Sequence, residues 1–338
     1  LDGKLYVAEQ PYAEISGNIT GETMSNASYH TDEVCLNGLY IGGDSVYSIK
    51  DSAFDMVGYG IDDFAGNGSA IMVNDTAKCE MDNVHVTTHG VIRPCTVVTG
   101  NGTLIVRNCI LDAKGGEIPK SYVPRIASGM MEPPPGLKLG GNCRTHLSMG
   151  NSRAYFYDSK ILAHSWAALS TDASEGFVYL EANDCKVVAT KSGYGAYADW
   201  GCHDVFNDCK FDVACQAAIV AGEASVKFTG CELKCGTYLP LMHCVMGRHT
   251  EVGELSLTDC DVKTGKTAIE VHGQNVEVSL DNCNTVTGGA LMRTCKNEDP
   301  NAARVNGRPP PGDELRMRDM TVTGDILHED PERDCRVY

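Results

Sequence analysis

The chain has little of what usually fills a protein core. Its 338 residues include only 7 Phe and 2 Trp, so the interior must be built from small and β-branched side chains stacked regularly. Apolar runs are short as well, with Ala217 to Ala221 among the longest, far below the ~20 residues a membrane helix needs. No segment of ~10 residues or more carries the i, i+3, i+4 apolar pattern of a surface helix. Positive charge is scarce: 28 Lys and Arg face 45 Asp and Glu, a net charge of −17. Such a chain repels phosphate backbones and anionic lipid, and no basic stripe with interleaved aromatics offsets it, so neither nucleic acid nor a membrane is expected as a partner. Also missing are a phosphate-binding Gly-rich loop with Lys-Ser/Thr, a G-x-S-x-G elbow and an H-E-x-x-H pair. With 42% hydrophobic and 22% charged residues the composition is still that of a folded domain.

What the chain does have is 16 Cys and 36 Gly. No C-x-x-C pair occurs, and the nearest spacing is Cys231 to Cys235, which argues against zinc ribbons, redox pairs and haem attachment. N-x-S/T triplets at Asn18, Asn26, Asn67, Asn74 and Asn101, with a start at Leu1, would suit a secreted chain that has lost a leader. Mostly reduced, buried cysteines, the reading favoured here, would suit a cytoplasm or an anaerobic source. Localisation therefore stays open.

A repeat organises the sequence. Asp158-Ser159, Asp184-Cys185, Asp208-Cys209, Gly230-Cys231, Asp259-Cys260 and Asn282-Cys283 each precede a short alternating strand, with steps of 26, 24, 22, 29 and 23 between the small residues. The same cue is read upstream at Asp51-Ser52, Asp82-Asn83 and Asn108-Cys109, and downstream at Asp319-Met320. Each unit reads as three short strands; after Cys260 they are Asp261 to Lys263, Thr267 to Val271 and Val276 to Leu280. One such coil cannot bury its inward side chains alone, whereas stacked coils bury a continuous column and pair every strand with its successor. The expected fold is all-β: a single-domain parallel β-solenoid of roughly ten coils, with Cys109, Cys185, Cys209, Cys231, Cys260 and Cys283 as rungs of one internal ladder, and Ser52 and Ser159 substituting in it.

On this period and strand pattern, over about residues 35 to 327, the chain resembles the right-handed parallel β-helix superfamily, the pectin-lyase-like fold. The resemblance implies carbohydrate-active chemistry: lyases that abstract a proton next to a uronate carboxylate, hydrolases with paired carboxylates, or epimerases. The Gly-His-Gly and Arg-Ile-Lys segments expected of polygalacturonase-like hydrolases have only Val271-His272-Gly273 and Pro124-Arg125-Ile126 as counterparts.

Two insertions break the rhythm, at 113–150 and 296–314, each holding Pro-Pro-Pro-Gly, at Pro133 to Gly136 and Pro309 to Gly312. Stiff loops on a repetitive scaffold suit a binding wall or a contact between copies of the chain. Residues 328–338 read as a C-terminal tail. Aligning the second strands on Ala168, Ala196, Ala218, Leu241, Ala268 and Ala290 places Thr171, Asp199, Ala221, Cys244, Val271 and Arg293 at one position, and Asp172, Trp200, Gly222, Val245, His272 and Thr294 at the next.

Polar residues that interrupt a small-apolar ladder are the site candidates. Asp172 and Asp199, from consecutive coils, could divide acid from base roles. His203 and His249 suit proton transfer near neutral pH, and Arg248 suits neutralising a carboxylate or an enolate-like oxygen. These five are the expected catalytic residues. Tyr197, Trp200, His164, Arg144, His146, His272 and Arg293 are the expected substrate-binding residues. No metal ligand set or cofactor motif is read; Asp62 to Gly68 superficially suggests calcium but lacks EF-hand spacing. The first expectation is acid/base cleavage or proton abstraction on a carbohydrate in a cleft of the β-helix. The alternatives are a cofactor-free lyase or isomerase of a small hydroxylated ring compound, and a non-enzymatic surface or assembly protein.

Overall fold

The computed structural model describes residues 14–338 except 20, 61, 63, 125–128, 135–136, 244–251, 297–312 and 332–333. Strands alone form the framework, and they stack as a parallel β-solenoid of about 11 turns. Each turn contributes one strand to each of three faces. Face A runs from Val46–Lys50 through Lys78–Asp82 and successive rungs to Cys335–Val337. Face B runs from Ala53–Val57 to Thr321–Val322, and face C from Leu39–Ile41 to Ile326–His328. At the N-terminal edge Glu14–Ile19 pairs antiparallel with Thr23–Thr31, covering strand groups that would otherwise be open to another chain.

Alternation decides what is inside. On face A one inward column reads Ile49, Met81, Val106, Phe156, Ala182, Phe206, Phe228, Leu257 and Leu280. Phe206 and Phe228 stack at 5.0 Å, and Phe211 from face B meets both edge-on. The few phenylalanines are thus concentrated where they replace many small side chains.

The turn from face A to face B explains the repeat. Its Asx residue is left-handed on coil after coil, from Asp51 at φ 48° through Asp208 at 53° to Asn282 at 51°, and Gly230 takes the place at 65°. Asp and Asn tolerate this region and Gly enters it freely. The following small residue points inward and serves twice. Cys185 Sγ–H donates to Asn183 O at 3.2 Å, while the Cys185 N–H donates to Cys209 Sγ on the next coil at 3.4 Å. Ser159 does the same with oxygen: its hydroxyl donates to Tyr157 O at 2.7 Å, and its Oγ accepts the Cys109 N–H at 3.0 Å. All described cysteines are free. One rung of the sequence alignment is displaced by a residue. Asn83, at φ 53°, is the left-handed position, and Val84 rather than Asn83 is the inward rung, its carbonyl accepting the Ile110 N–H.

The segment boundaries also shift. Cys143–Gly150, placed by sequence within the first insertion, is a fully buried face-C strand paired with Thr96–Val98 and with Lys160–Ser174. The insertion proper therefore ends before Cys143. Its Met130, Met131 and Leu137 join Trp166, Tyr194, Tyr197, Ile219 and Leu241 in an apolar cluster outside face C, and Leu137 O accepts a bond from Gln216 Nε2 at 3.3 Å. In the second insertion, Asp313–Arg318 is a regular face-A strand, and residues 297–312, with its Pro-Pro-Pro-Gly, lie outside the described residues. The segment 328–338 read as a tail carries Cys335–Val337, a further rung paired to Asp313–Leu315.

Candidate active site

Strand register on face C revises the alignment made from sequence. Thr171 pairs with Ala198, which continues through Val220, Met242, Val271 and Thr294. These side chains point inward. The next position outward holds Asp172, Asp199, Ala221, His243, His272 and Cys295 on successive coils. Asp172 and Asp199 therefore belong to one column and not to two adjacent ones, which brings their carboxyls face to face across the strand spacing of ~4.8 Å.

The two carboxyls act on each other across that spacing. Asp172 lies near the end of the long strand Lys160–Ser174, is buried, and accepts Arg144 Nη1 at 3.0 Å. Asp199 follows Ala196–Ala198 and keeps part of its own surface open to solvent, although its carboxyl is closely surrounded by protein. Tyr197 Oη stands 3.5 Å from Asp199 Oδ2. Burial pushes the Asp199 carboxyl well above the usual carboxylate range, and the charge and hydrogen bond of Asp172 push it further, against the opposing pull of Arg144 and Tyr197. Asp199 is thus driven towards its protonated form. Burial, then Asp199 and Asp172, likewise raise the Tyr197 phenol well above its ordinary value, so it stands as a neutral donor.

Arg144 is not a substrate-binding residue as expected. Its side chain is 3% exposed, its guanidinium lies 5.0 Å from the Trp166 ring and 5.3 Å from the Phe64 ring, and its hydrogen bond goes to Asp172. It fixes Asp172 from behind. Beneath the pair lies an acid that sequence reading missed. Asp204 points into the core from Cys202–Asn207, in the column of Leu180 and Val226. Thr171 Oγ1 is 2.8 Å from Asp204 Oδ1 and 3.0 Å from Tyr197 O. The Thr171 hydroxyl is the donor placed between these two oxygens. Burial raises the Asp204 carboxyl well above its usual range, against the opposing pull of the Thr171 hydroxyl.

The other expected residues are distributed as follows. Trp200 lies in the turn after Asp199, packed on Gly222, where a Cβ would stand 2.2 Å from its indole Nε1; Gly222 also has φ 63°, so no other residue fits easily. His203 faces outward on face A, bonded to Ser225 Oγ at 2.7 Å with its ring 5.0 Å from Phe177, so its partners lie away from the aspartates. His164 sits at the corner between faces B and C beside Thr190, half-exposed. His146 is a correction: it is fully buried inside the solenoid, held at both nitrogens by Thr96 Oγ1 and Ser148 Oγ at 2.8 Å and edge-on to Phe156. Burial lowers it to about 3, and a neutral core imidazole cannot meet substrate. His272 and Arg293 gather around Glu270, three coils or roughly 14 Å from Asp199. Arg248, His249 and Cys244 lie outside the described residues. In the segment considered for calcium, Asp62 Oδ1 accepts the Phe64 N–H at 3.0 Å, and Asp63 lies outside the described residues.

No family profile matches the sequence, and no curated protein matches it either. Among solved structures, the chain is similar to two crystal structures of the periplasmic alginate epimerase AlgG. One, a double mutant, has a TM-score of 0.40 at 11% identity over 91% of this chain and 78% of that one. The other has a TM-score of 0.38 at 10% identity, with coverage of 92% and 77%. The fold assignment rests on the strand register given above.

Proposed function

We propose that this chain is an enzyme that performs acid/base chemistry on a hydroxylated, carbohydrate-type substrate at the Asp172/Asp199 pair. The observation that carries the reading is two carboxyls stacked on consecutive coils at the partly open end of a face-C column, with an arginine fixing one and a tyrosine beside the other. Such a pair both gives and takes a proton: Asp199 donates to an oxygen that gains charge as a bond breaks, and the carboxylate so formed recovers a proton from substrate or water. Tyr197 supplies a neutral hydroxyl next to the same carboxyl. Arg144 holds Asp172 in place without reaching the surface. The first insertion, cemented to face C through the cluster that includes Tyr197, forms a fixed flank of the site. The substrate class rests on the superfamily resemblance carried by the repeat, and lyase, hydrolase and epimerase outcomes all use this acid/base unit.

The test is turnover of a panel of neutral and uronate-containing polysaccharides and glycosides. New reducing ends, the ultraviolet absorbance of an unsaturated uronate, and proton NMR of inverted ring centres are read for wild type, Asp172→Asn and Asp199→Asn. The reading predicts activity in wild type and a loss of ~10²-fold or more in each variant. Wild-type turnover that survives in the double variant would place the chemistry elsewhere, and a folded wild type inert on the whole panel would sink the substrate class.

A further inference from the structure

Three coils along the same outward column, a second group of side chains has a different chemistry. Glu270 and His272 both face outward on Ile269–His272, and Cys295 pairs with His272 from the next coil, Met292–Cys295. Each offers one ligand atom, and the three atoms lie within 4.8 Å of one another. Glu270 is 1% exposed. Its Oε1 is fully engaged, by His272 Nε2 at 3.0 Å and Arg293 Nη1 at 2.8 Å. Its Oε2 is buried with no hydrogen-bond partner. A buried carboxylate oxygen left without a donor is costly, and natural structures rarely carry one without a reason.

We propose that Glu270, His272 and Cys295 form a binding site for a divalent transition-metal ion of the zinc and cobalt class. Carboxylate oxygen, imidazole nitrogen and thiolate sulfur together select such ions over calcium or magnesium, which take oxygen ligands throughout. The free Oε2 of Glu270 is the oxygen ligand. On binding, the Cys295 thiol gives its proton to water and coordinates as thiolate, and His272 coordinates as the neutral ring. Rotation of these side chains closes the group to the ~2.0 to 2.3 Å bonds of a tetrahedral site, with water in the fourth position. His243, in register with His272 and edge-on to it at 5.6 Å, sets the plane of that ring from the preceding coil.

Arg293 is the competing cation. It is anchored independently, with Nε and Nη2 on Glu329 Oε2 at 3.0 and 2.8 Å, so it can stay with Glu329 when the ion takes Glu270. The site is separate from the Asp172/Asp199 pair, and its existence does not depend on the activity proposed above.

The experiment is a titration of the reduced, chelator-stripped full chain with Co²⁺, followed by displacement with Zn²⁺. The expected result is one equivalent bound, with visible d–d bands and a thiolate-to-cobalt charge-transfer band. Cys295→Ser should lose the charge-transfer band and weaken binding by ~10-fold or more, whereas Cys215→Ser should keep both. Glu270→Gln, which preserves shape, should weaken binding while keeping the band, and Arg293→Gln should tighten it. A charge-transfer band that persists in Cys295→Ser, tighter binding absent in a folded Arg293→Gln, or no stoichiometric binding by the folded wild type would each overturn the proposal.

Discussion

Asp172 and Asp199 stand one above the other on consecutive coils, in one outward column of face C. The relationship is set by backbone register: Thr171 opposite Ala198 points inward, so the residue after each must emerge on the same outer column. Repetition of the coil brings two acids together one strand spacing apart, and burial, reinforced by Asp172, raises the Asp199 carboxyl well above its usual range.

If Asp199 acts as the proton donor, the rate falls as pH rises through its raised pKa, because the donating form is lost there. Asp199→Asn should remove this alkaline limb together with most of the activity. Asp172→Asn, which takes away the charge that helps raise Asp199, should lower the activity too. A pH–rate profile of the three proteins on one substrate checks this.

Arg144 makes a buried ion pair and helps to hold the Asp199 carboxyl down against its other neighbours. Arg144→Met should therefore shift any residual alkaline limb to higher pH. It should also cost ~3 to 5 kcal/mol of stability, since it breaks a buried ion pair. Urea unfolding at neutral pH, read beside the profile, separates the two effects.

Asp204 gives a stability prediction with a definite sign. Its carboxyl stays protonated in the folded chain, while in the unfolded chain it releases its proton above ~3.9. Stability is therefore full in acid and is lost as pH rises from that value towards the folded pKa, at about 1.4 kcal/mol per pH unit for this group. Asp204→Leu, which matches the column of Leu180 and Val226, should remove that slope and leave the chain more stable at neutral pH. The pH dependence of urea midpoints for the two proteins measures it.

The cysteine ladder should accept oxygen but not deletion. Cys209→Ser keeps a donor to the carbonyl of Asn207 and an acceptor for the Cys185 N–H, as Ser159 already does, and should cost less than ~1 kcal/mol. Cys209→Ala leaves that N–H buried and unmet, at ~1 to 3 kcal/mol. Thermal unfolding under reducing conditions distinguishes the two.

The fold was legible because the left-handed Asx turn demands particular residues: Asp, Asn or Gly, followed by a small inward side chain. The face-C register was not. Ala168, Ala196, Ala218 and Ala268 supply many equivalent anchors, and a slip of one residue costs nothing in a pattern of small side chains. That slip set Asp172 and Asp199 in different columns and left His243 out. Arg144 and His146 looked like the end of a loop because Cys143–Gly150 is polar for a strand, yet every residue in it is buried. Glu270 carries no signal in the sequence, since a lone acid on a short strand ordinarily faces water.

The most direct test of the central claim is difference infrared spectroscopy of the folded chain, reading the carbonyl stretch of protonated carboxylic acid at neutral pH. The account predicts that such groups include Asp199 and Asp204, one contribution lost in Asp199→Asn and the other in Asp204→Leu, each with its isotope shift in D₂O. A spectrum in which Asp199→Asn leaves the protonated-carboxyl band of the wild type unchanged would contradict it.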